Sequence, residues 1–362
     1  MKASGLILSP LGTLYSAVMR ARLALYRSGG LRTHNINSPV ISVGNITTGG
    51  TGKTPLVEWI ARAAAKENRR VCILARGYGR IDAKKRVLVS DSERILASAG
   101  EGGDEPRLLA EMLQGIASVV SDADRVAAAR WAEENLKSDL FILDDGFQHL
   151  RIARDLDLVT VDATNPWGGE RLLPSGRLRE SLDGLARADC IILTRVEQSL
   201  DIESLRKQAE RFSNGRPILL SHTRTRTVRL LDDTTVETDS LDSLSHPSSL
   251  IPHPSQSSPI AAFCAIGNPA SFFAHLRSDG HSLSYMRAFT DHYVYEQSDI
   301  DALVTEAKRT GARVLLTTAK DAVKLRALRF DLPCYVLEIE LEFDDEERLR
   351  GMIRDVIEKQ PI

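Results

Sequence analysis

Short apolar runs alternate along the chain with longer segments in which apolar residues recur every three or four positions. The runs are four to seven residues long, which is typical of buried strands, and they lie at 40–43, 71–75, 117–121, 140–143, 156–162 and 189–193. Helical periodicity follows several of them, as at 56–64, 108–113 and 124–136. Repeated strand–helix units between residues 40 and 221 predict a mostly parallel sheet with helices on both faces.

A second α/β series begins at residue 261, with predicted strands at 261–266, 285–289, 314–318 and 334–341. It contains no second glycine-rich phosphate loop, so we expect it to assist the first series. Residues 239–259 are rich in Ser, Pro and His and predict a flexible surface insertion. The chain is therefore expected to form an N-terminal segment, a larger α/β domain and a smaller C-terminal α/β domain, at 1–35, 36–222 and 223–362.

The N-terminal segment predicts an amphipathic helix. Its apolar positions share one face and comprise Leu11, Leu14, Tyr15, Val18, Leu25 and Tyr26. Its charged residues are all basic, namely Lys2, Arg20, Arg22, Arg27 and Arg32. No clean secretory signal is present. Such a helix either packs on the first domain or lies in a membrane interface, and the pattern alone leaves both possibilities open.

Residues 40–55 carry the clearest chemical signature. A predicted strand leads into a Gly/Thr loop, and Lys53 and Thr54 open the following helix. This order forms a phosphate cradle, because loop N–H groups and the positive helix end converge on an anion that Lys53 neutralises. The strict spacing requires glycine where this chain has Thr47, and a glycine-rich turn without nucleotide is the alternative. The predicted nucleotide-binding residues are Asn45, Thr48, Gly49, Gly50, Thr51, Gly52, Lys53 and Thr54.

The apolar run at 140–143 ends in Asp144 and Asp145, downstream of the phosphate loop. This arrangement is typical of a Walker B strand, whose carboxylate meets the metal ion at the carboxyl edge of the sheet. Two adjacent carboxylates at a buried strand end repel each other unless a cation compensates them. They predict a Mg²⁺ site shared with the Thr54 hydroxyl, and a solvated turn is the alternative.

Three further segments carry polar residues that could meet a ligand. Arg76 and Tyr78 belong to a glycine-rich loop at the end of a predicted strand, where open α/β sheets bind ligands; a plain surface turn is the alternative. Asp104 precedes a helical segment, either as an N-cap or as a catalytic carboxylate. The long loop at 165–180 contains three arginines, Arg171, Arg177 and Arg179, and is suited to an acidic ligand.

Composition excludes several classes of protein. A length of 362 residues favours two domains, and a formal net charge of −2 gives no basic field for nucleic acid. The four cysteines lie too far apart for a standard zinc module, so we expect buried free thiols. No apolar run approaches the length of about 18 residues that is needed to span a bilayer.

The motifs of the chain are Val-Gly-Asn-Ile-Thr-Thr-Gly-Gly-Thr-Gly-Lys-Thr-Pro, Arg-Gly-Tyr-Gly, Gly-Asp-Glu-Pro, Asp-Asp-Gly-Phe-Gln-His, Leu-Pro-Ser-Gly-Arg-Leu-Arg-Glu, Asp-His-Tyr and Thr-Ala-Lys-Asp. Together they resemble the tetraacyldisaccharide 4′-kinase family, which phosphorylates a lipid A precursor at the inner membrane of Gram-negative bacteria. The resemblance covers essentially the whole chain and includes the phosphate-loop spacing. Ala319 departs from it, because an acidic residue is usual there, and the 239–259 insertion looks peculiar to this chain.

The resemblance implies transfer of the γ-phosphate of ATP, with Mg²⁺, to the 4′-hydroxyl of a tetraacyldisaccharide 1-phosphate, which forms lipid IVA. Asp104 would accept the hydroxyl proton, oriented by His292 of the second domain, while Lys53 holds the phosphates. The protein would be a peripheral monomer at the cytoplasmic face of the inner membrane, with its N-terminal helix toward the bilayer. The implied substrate-binding residues are Arg76, Tyr78, Gln148, His149, Arg171 and Arg177.

Two rival classes stay open on the residues alone. A P-loop GTPase or metallochaperone-like nucleotide hydrolase would use residues 194–197, Thr-Arg-Val-Glu, as a degenerate base-reading motif. A non-catalytic membrane-binding regulator would leave Asp104 unexplained.

Overall fold

The chain folds into two compact units, one formed by Met1–Arg224 with Glu340–Ile362 and the other by Thr225–Ile339. The structure, a computed structural model, describes residues 4–231 and 259–358. The predicted insertion therefore lies outside the described residues except for its last position. The predicted α/β class with a mostly parallel sheet is confirmed in both units.

The strands of the first unit are β1 (Val40–Asn45), β2 (Val71–Ala75), β3 (Val87–Ser90), β4 (Ala117–Ser121), β5 (Leu140–Asp144), β6 (Leu156–Asp162), β7 (Cys190–Thr194) and β8 (Ile218–Leu230), the last of which continues into the second unit. Their order in the sheet is β8-β7-β6-β1-β5-β2-β4-β3. All neighbours from β8 to β4 pair in parallel, and β3 pairs antiparallel with β4 at the edge. The parallel strands β1 and β2 and β4 to β7 are buried along their whole length. This burial explains their continuous apolar runs.

The helices of the first unit are α1 (Ser4–Arg27), α2 (Lys53–Lys66), α3 (Ala99–Gly102), α4 (Asp104–Met112), α5 (Arg125–Asn135), α6 (Ile202–Phe212) and, after the second unit, α10 (Glu346–Glu358). Two short 3₁₀ segments lie at Leu182–Arg187 and Val196–Gln198. Parallel strands bring their carboxyl ends to one edge of the sheet. The loops that follow β1, β2, β5 and β7 therefore lie at that edge.

The second unit repeats the α/β pattern on a smaller scale. Its remaining elements are β9 (Ile260–Cys264), α7 (Pro269–Ser278), β10 (Leu283–Ala288), α8 (Gln297–Arg309), β11 (Leu315–Thr318), α9 (Ala319–Leu325) and β12 (Cys334–Phe343), the last of which continues into the first unit. The strands β10, β9, β11 and β12 are parallel neighbours in that order. Asp321 is fully buried and accepts hydrogen bonds from the Ala265 N–H and the Tyr295 hydroxyl.

The C-terminal segment corrects the predicted boundary of the second domain. The prediction assigned 223–362 to one domain, but residues 340–362 belong to the first unit. The apolar side chains of α10, including Ile353 and Val356, pack into the same core as α2. Trp59 and Phe343 meet edge to face with their ring centroids 5.1 Å apart. The amphipathic pattern of α10 predicts a buried face, yet it does not specify which sheet that face covers.

The predicted N-terminal helix is present as α1, and it belongs to the first unit. The Tyr15 hydroxyl donates to the Arg179 carbonyl at 2.9 Å, and Arg22 donates to the Gln148 carbonyl at 3.1 Å. Leu14, Val18 and Leu25 are instead 62%, 56% and 48% exposed. None of the helices that the structure describes is long and apolar enough to cross a membrane.

Replacing Ile353 by alanine should destabilise the first unit by about 2–5 kcal/mol, because the change leaves a cavity in its core. The three tryptophans, Trp59, Trp131 and Trp167, all lie in that unit. Urea unfolding followed by tryptophan fluorescence therefore measures the effect directly. Asp355→Ala, an exposed change in the same helix, is the matched control. Equal midpoints for the two variants would contradict the placement of α10.

Candidate active site

The glycine loop between β1 and α2 leads into a helix start that no described side chain caps. Its last residue, Gly52, has φ +83° and precedes Lys53 at the start of α2. In the described structure no side chain caps this helix end, and its first turn contains no acidic residue. The N–H groups and the positive end of α2 are therefore available to a phosphate. This geometry supports the predicted phosphate cradle despite Thr47.

The inside of the loop is held by its own side chains. Thr51 is almost fully buried, and its hydroxyl accepts a hydrogen bond from Asn45 Nδ2 at 2.9 Å. The same hydroxyl lies 2.8 Å from Thr160 Oγ1. The side chains of Asn45 and Thr51, which were predicted to bind nucleotide, thus shape the loop. The structure does not test a direct nucleotide contact.

Arg177 lies against the start of the same loop. Thr48 donates its N–H to the Arg177 carbonyl at 2.7 Å, and Arg177 Nε donates back to the Thr48 carbonyl at 3.1 Å. The long loop between β6 and β7 therefore supports the phosphate loop. The predicted role of Arg177 in substrate binding remains a prediction beside this structural one.

Two carboxylates and two cationic groups meet at the end of β5. Lys53 Nζ lies 3.4 Å from Asp145 Oδ1, and Arg179 Nη1 lies 2.6 Å from Asp145 Oδ2. Asp145 has φ +55° and follows the buried Asp144. The structure thus brings the predicted Walker B pair to the start of α2. Arg179, which sequence reasoning noticed only as one basic residue of a loop, completes the cluster.

The two carboxyl groups differ in their electrostatic surroundings. Burial, followed by the nearby Glu105 and Asp145 carboxylates, raises the pKa of Asp144 to about 7 although Lys53 opposes it. Burial also acts to raise the pKa of Asp145, but Lys53 and Arg179 outweigh it and lower that pKa to about 2. Glu105 is a functional candidate that the sequence reasoning missed. Its neighbour Asp104 in the Gly-Asp-Glu-Pro motif was the available signal.

The carboxylates could hold a magnesium ion only together with other ligands. Among residues 4–231 and 259–358, no group of three or more His, Cys, Asp or Glu is placed to bind a metal ion. Mg²⁺ commonly takes one or two carboxylates and completes its octahedron with phosphate oxygens and water. Asp144 fits this requirement, because a cation would relieve the repulsion that raises its pKa. Asp145 already pairs with Lys53 and Arg179.

Asp104 is the first residue of α4 and lies beside the loop that follows β2. The helix cap is Gly103, with φ +100° and no capping side chain, so Asp104 does not serve as the N-cap. A Cβ atom added to Gly103 would lie 2.8 Å from the Cα of Gly77. This close approach brings Arg76 and Tyr78 into the neighbourhood of Asp104. Tyr78 is 69% exposed, and Arg76 is exposed as well.

Gln148 is held in a polar network. Its Nε2 donates to the Asn45 carbonyl and to Glu180 Oε1, both at 2.8 Å. Glu180 also receives two hydrogen bonds from Arg187, at 2.7 and 3.1 Å. The Arg187 guanidinium in turn lies 4.2 Å from the centroid of the Phe147 ring. Sequence reasoning did not identify Glu180 or Arg187 as support for Gln148.

His149 follows Gln148 and is held neutral. Burial, followed by Arg125 and Arg151, lowers the pKa of its imidazole to about 4. Its Nε2 atom is buried and has no hydrogen-bond partner among the described residues. An unpaired buried ring nitrogen is suited to a ligand donor or acceptor. Arg171, by contrast, has an exposed side chain on the loop between β6 and β7.

His292 lies in the second unit, in the segment between β10 and α8, and has φ +59°. Its Nε2 lies 3.5 Å from Lys320 Nζ and 3.9 Å from Asp291 Oδ1. The Asp-His-Tyr and Thr-Ala-Lys-Asp motifs therefore meet within one unit. The predicted pairing of His292 with Asp104 stays a prediction.

The chain is similar to known proteins along nearly its whole length. The family model described as tetraacyldisaccharide-1-P 4′-kinase, LpxK, matches residues 4–358. The tetraacyldisaccharide 4′-kinase of Desulfotalea psychrophila is 37% identical over 335 residues, which are 90% of this chain and 89% of that protein. The kinase of Geobacter metallireducens is 36% identical over 352 residues, which are 97% of this chain and 98% of that protein.

A solved structure gives the same result for the fold. The crystal structure of LpxK from Aquifex aeolicus, an "apo" form in complex with ATP, matches with a TM-score of 0.73 and 30% sequence identity. The match covers 97% of this chain and 99% of that chain. The predicted kinase activity is confirmed, and the alternative of a GTPase or metallochaperone is not favoured. With its phosphate loop, its paired carboxylates and these matches along nearly its whole length, the chain belongs to the tetraacyldisaccharide 4′-kinase family.

Proposed function

We propose that the protein transfers the γ-phosphate of ATP to the 4′-hydroxyl of a tetraacyldisaccharide 1-phosphate, with residues of the first unit and His292 of the second as its functional groups. The observation that carries this proposal is the meeting of Lys53, Asp144 and Asp145 at an uncapped helix start. ATP in the structure of LpxK from Aquifex aeolicus supports ATP as the donor.

Lys53 supplies a fixed positive charge to the transferring phosphoryl group. Its Nζ lies 3.4 Å from Asp145 Oδ1, and Arg179 gives that carboxylate a second partner. Asp145 thus stays compensated when Lys53 contacts phosphate oxygens. Phosphoryl transfer has a loose transition state with charge on the peripheral oxygens, so positioning and charge compensation supply most of the catalysis.

Mg²⁺ would be held by the Asp144 carboxylate and the Thr54 hydroxyl, with Asp145 close by. When bound, it would neutralise charge on the β- and γ-phosphate oxygens. Asp144 would hold the ion as a carboxylate, and its raised pKa of about 7 would make metal binding dependent on pH.

Asp104 accepts the proton of the 4′-hydroxyl in this proposal. Asp104 is the first residue of α4, where Gly103 is the N-cap, and its motif carries this assignment. Glu105 on the same turn adds to the negative charge around Asp144. His292 would orient Asp104 when the substrate is bound, supported within its own unit by Asp291 and Lys320.

The acceptor's 1-phosphate and sugars would meet the polar residues at the same sheet edge. Arg76 and Arg171 carry exposed cationic groups, and Tyr78 adds an exposed ring. The Gln148 network and the neutral His149 offer fixed polar groups for the sugar hydroxyls. Arg177 would contribute from its position beside the phosphate loop.

The exposed face of α1 would lie in the membrane interface. Tyr15 and Arg22 attach one side of the helix to the first unit, and Leu14, Val18 and Leu25 remain exposed. Burial of such side chains in a bilayer is favourable, and exposed arginines add roughly 1 kcal/mol each near anionic headgroups. A monomer at the cytoplasmic face of the inner membrane would thus reach a substrate whose acyl chains stay in the bilayer.

Asp104→Asn should abolish transfer of labelled phosphate from ATP to a tetraacyldisaccharide 1-phosphate, lowering kcat by at least about a hundredfold, because the proton acceptor is lost. The KM for ATP should change little, since the proposed interaction of Asp104 with the hydroxyl proton forms in the transfer step. GTP in place of ATP should support little transfer by the wild type. A variant with wild-type kcat, or equal rates with GTP, would contradict the proposal.

Asp144 should make the metal-free protein less stable as pH rises. Its folded pKa of about 7 exceeds the ordinary value of 3.8, so the stability present at pH 4 is lost as pH rises through 7. In EDTA at pH 8, Asp144→Asn should therefore be more stable than the wild type by more than about 1.4 kcal/mol, the equivalent of one pKa unit. The difference should shrink toward pH 4.

Urea unfolding followed by tryptophan fluorescence measures this difference. Added Mg²⁺ should stabilise the wild type at pH 8 and leave Asp144→Asn nearly unchanged, because the ligand is missing. Equal stability of the two proteins in EDTA at both pH values would contradict the electrostatic assignment.

Serine at positions 14, 18 and 25 should release the protein from anionic vesicles. Each replaced side chain loses roughly 1.5 kcal/mol of apolar burial, so partitioning should fall by at least about a hundredfold. Vesicle co-sedimentation measures it, and binding by the wild type should weaken in high salt. Leu200→Ser, a change of a fully exposed leucine outside α1, is the control. Undiminished sedimentation of the triple variant would contradict the membrane role.

A further inference from the structure

The end of β7 contacts the phosphate loop from outside. The Thr194 hydroxyl donates to the Thr51 carbonyl at 3.0 Å, and Arg195 Nη1 donates to the Gly50 carbonyl at 2.8 Å. These residues open the Thr-Arg-Val-Glu segment, which would read a nucleobase in a GTPase. In this chain they instead hold two consecutive carbonyl groups of the loop.

Arg195 is itself held in place by two features. Its Nη1 lies 2.6 Å from Asp162 Oδ2 at the end of β6, and Asp162 Oδ1 accepts hydrogen bonds from the Thr164 N–H and hydroxyl at 3.0 and 2.8 Å. Asp162 is nearly fully buried. Arg195 also adopts φ +57°, a conformation that is unfavourable for a residue with a side chain and that persists only where the surroundings enforce it. The fold therefore holds the Arg195 guanidinium in a defined position.

Holding these carbonyls fixes the direction of the N–H groups that follow them. In a trans peptide the C=O and the N–H point in opposite directions. The N–H groups of Thr51 and Gly52 must therefore point away from Arg195 and Thr194. Neither N–H has a protein acceptor among the described residues. Both are donors available to an anion in the loop.

We propose that Arg195 and Thr194 are positioning residues for the nucleotide phosphates, which they orient through the peptide groups of Gly50 and Thr51 without contacting the ligand. This inference rests on the proposed binding of ATP at the phosphate loop. Loop N–H groups that are oriented before binding need no reorganisation when the phosphates arrive, which increases affinity for ATP. The same contacts do not increase the affinity for the lipid acceptor.

The test compares ATP and the lipid acceptor in the full-length protein. Arg195→Ala should raise the Kd and the KM for ATP with Mg²⁺ by about tenfold or more, as expected for one lost hydrogen bond to a charged group. Thr194→Val, which removes a hydroxyl at nearly constant shape, should raise them by about threefold. The KM for the tetraacyldisaccharide 1-phosphate should stay within about twofold of the wild type in both variants. Arg195→Lys should recover part of the loss, because an ammonium group can reach one of the two oxygens.

Arg216→Ala is the matched control. Arg216 Nη1 lies 3.6 Å from Asp189 Oδ1. Asp189 immediately precedes β7, so this ion pair lies at the opposite end of the strand from Arg195. This variant should bind ATP as the wild type does. The inference would be overturned if Thr194→Val bound ATP as the wild type does and Arg195→Ala also bound it normally. It would equally be overturned if Thr194→Val bound ATP normally and Arg195→Ala failed to fold. A parallel rise of both KM values, or an equal effect of Arg216→Ala, would also overturn it. A wild type that binds no ATP would instead contradict the proposed function.

Discussion

Negative charge at the carboxyl end of β5 is the constraint on which the site depends. Asp144 and Asp145 are adjacent there, Asp144 is buried, and Glu105 adds a third carboxylate nearby. Such a group of carboxylates is unfavourable unless cations compensate it. Lys53 from the start of α2 and Arg179 from the loop before β7 supply that compensation for Asp145. Asp144 keeps a raised pKa, and it is the position that we propose for the metal ion.

The same constraint explains why the surrounding loops are so firmly held. A charged site functions best if its groups keep their positions when the ligand binds, because reorienting them would reduce the net free energy of binding. Thr48 and Arg177 exchange hydrogen bonds on one side of the phosphate loop, and Asn45 holds Thr51 from within. Glu180 and Gln148 connect the end of β1 to the loop that carries Arg179. Hydrogen bonds therefore hold the phosphate loop both from outside and from within.

The N-terminal helix contacts this site with one side and is exposed on the other. Its contacts reach Arg179 and Gln148, which are both members of the polar groups around the phosphate loop. The exposed side of the same helix carries Leu14, Val18 and Leu25. The two sides of α1 thus differ, because one side contacts residues beside the phosphate loop and the other side is exposed. A helix that served only as a cap would bury its apolar residues.

The sequence by itself determined the features whose signals are local. Buried parallel strands appear as continuous apolar runs, and the phosphate loop, the Asp144–Asp145 pair and the amphipathic α1 each depend on neighbouring residues. The resemblance of the motifs to a known family also predicted the reaction and the family of the chain. Asp104 was singled out from its motif, although only the structure showed that Gly103 is the helix cap.

The tertiary structure decided which distant segments meet. Residues 340–362 return to the first unit, since the apolar face of α10 matches the core beside α2, and no local pattern specifies that partner. Arg179 reaches Asp145 across 34 positions, and Arg195 reaches Gly50 across 145. Asn45 and Thr51 turn toward each other because a buried hydroxyl must be paired. Contacts of this kind depend on the packed backbone, so the sequence named the residue types and the fold assigned their partners.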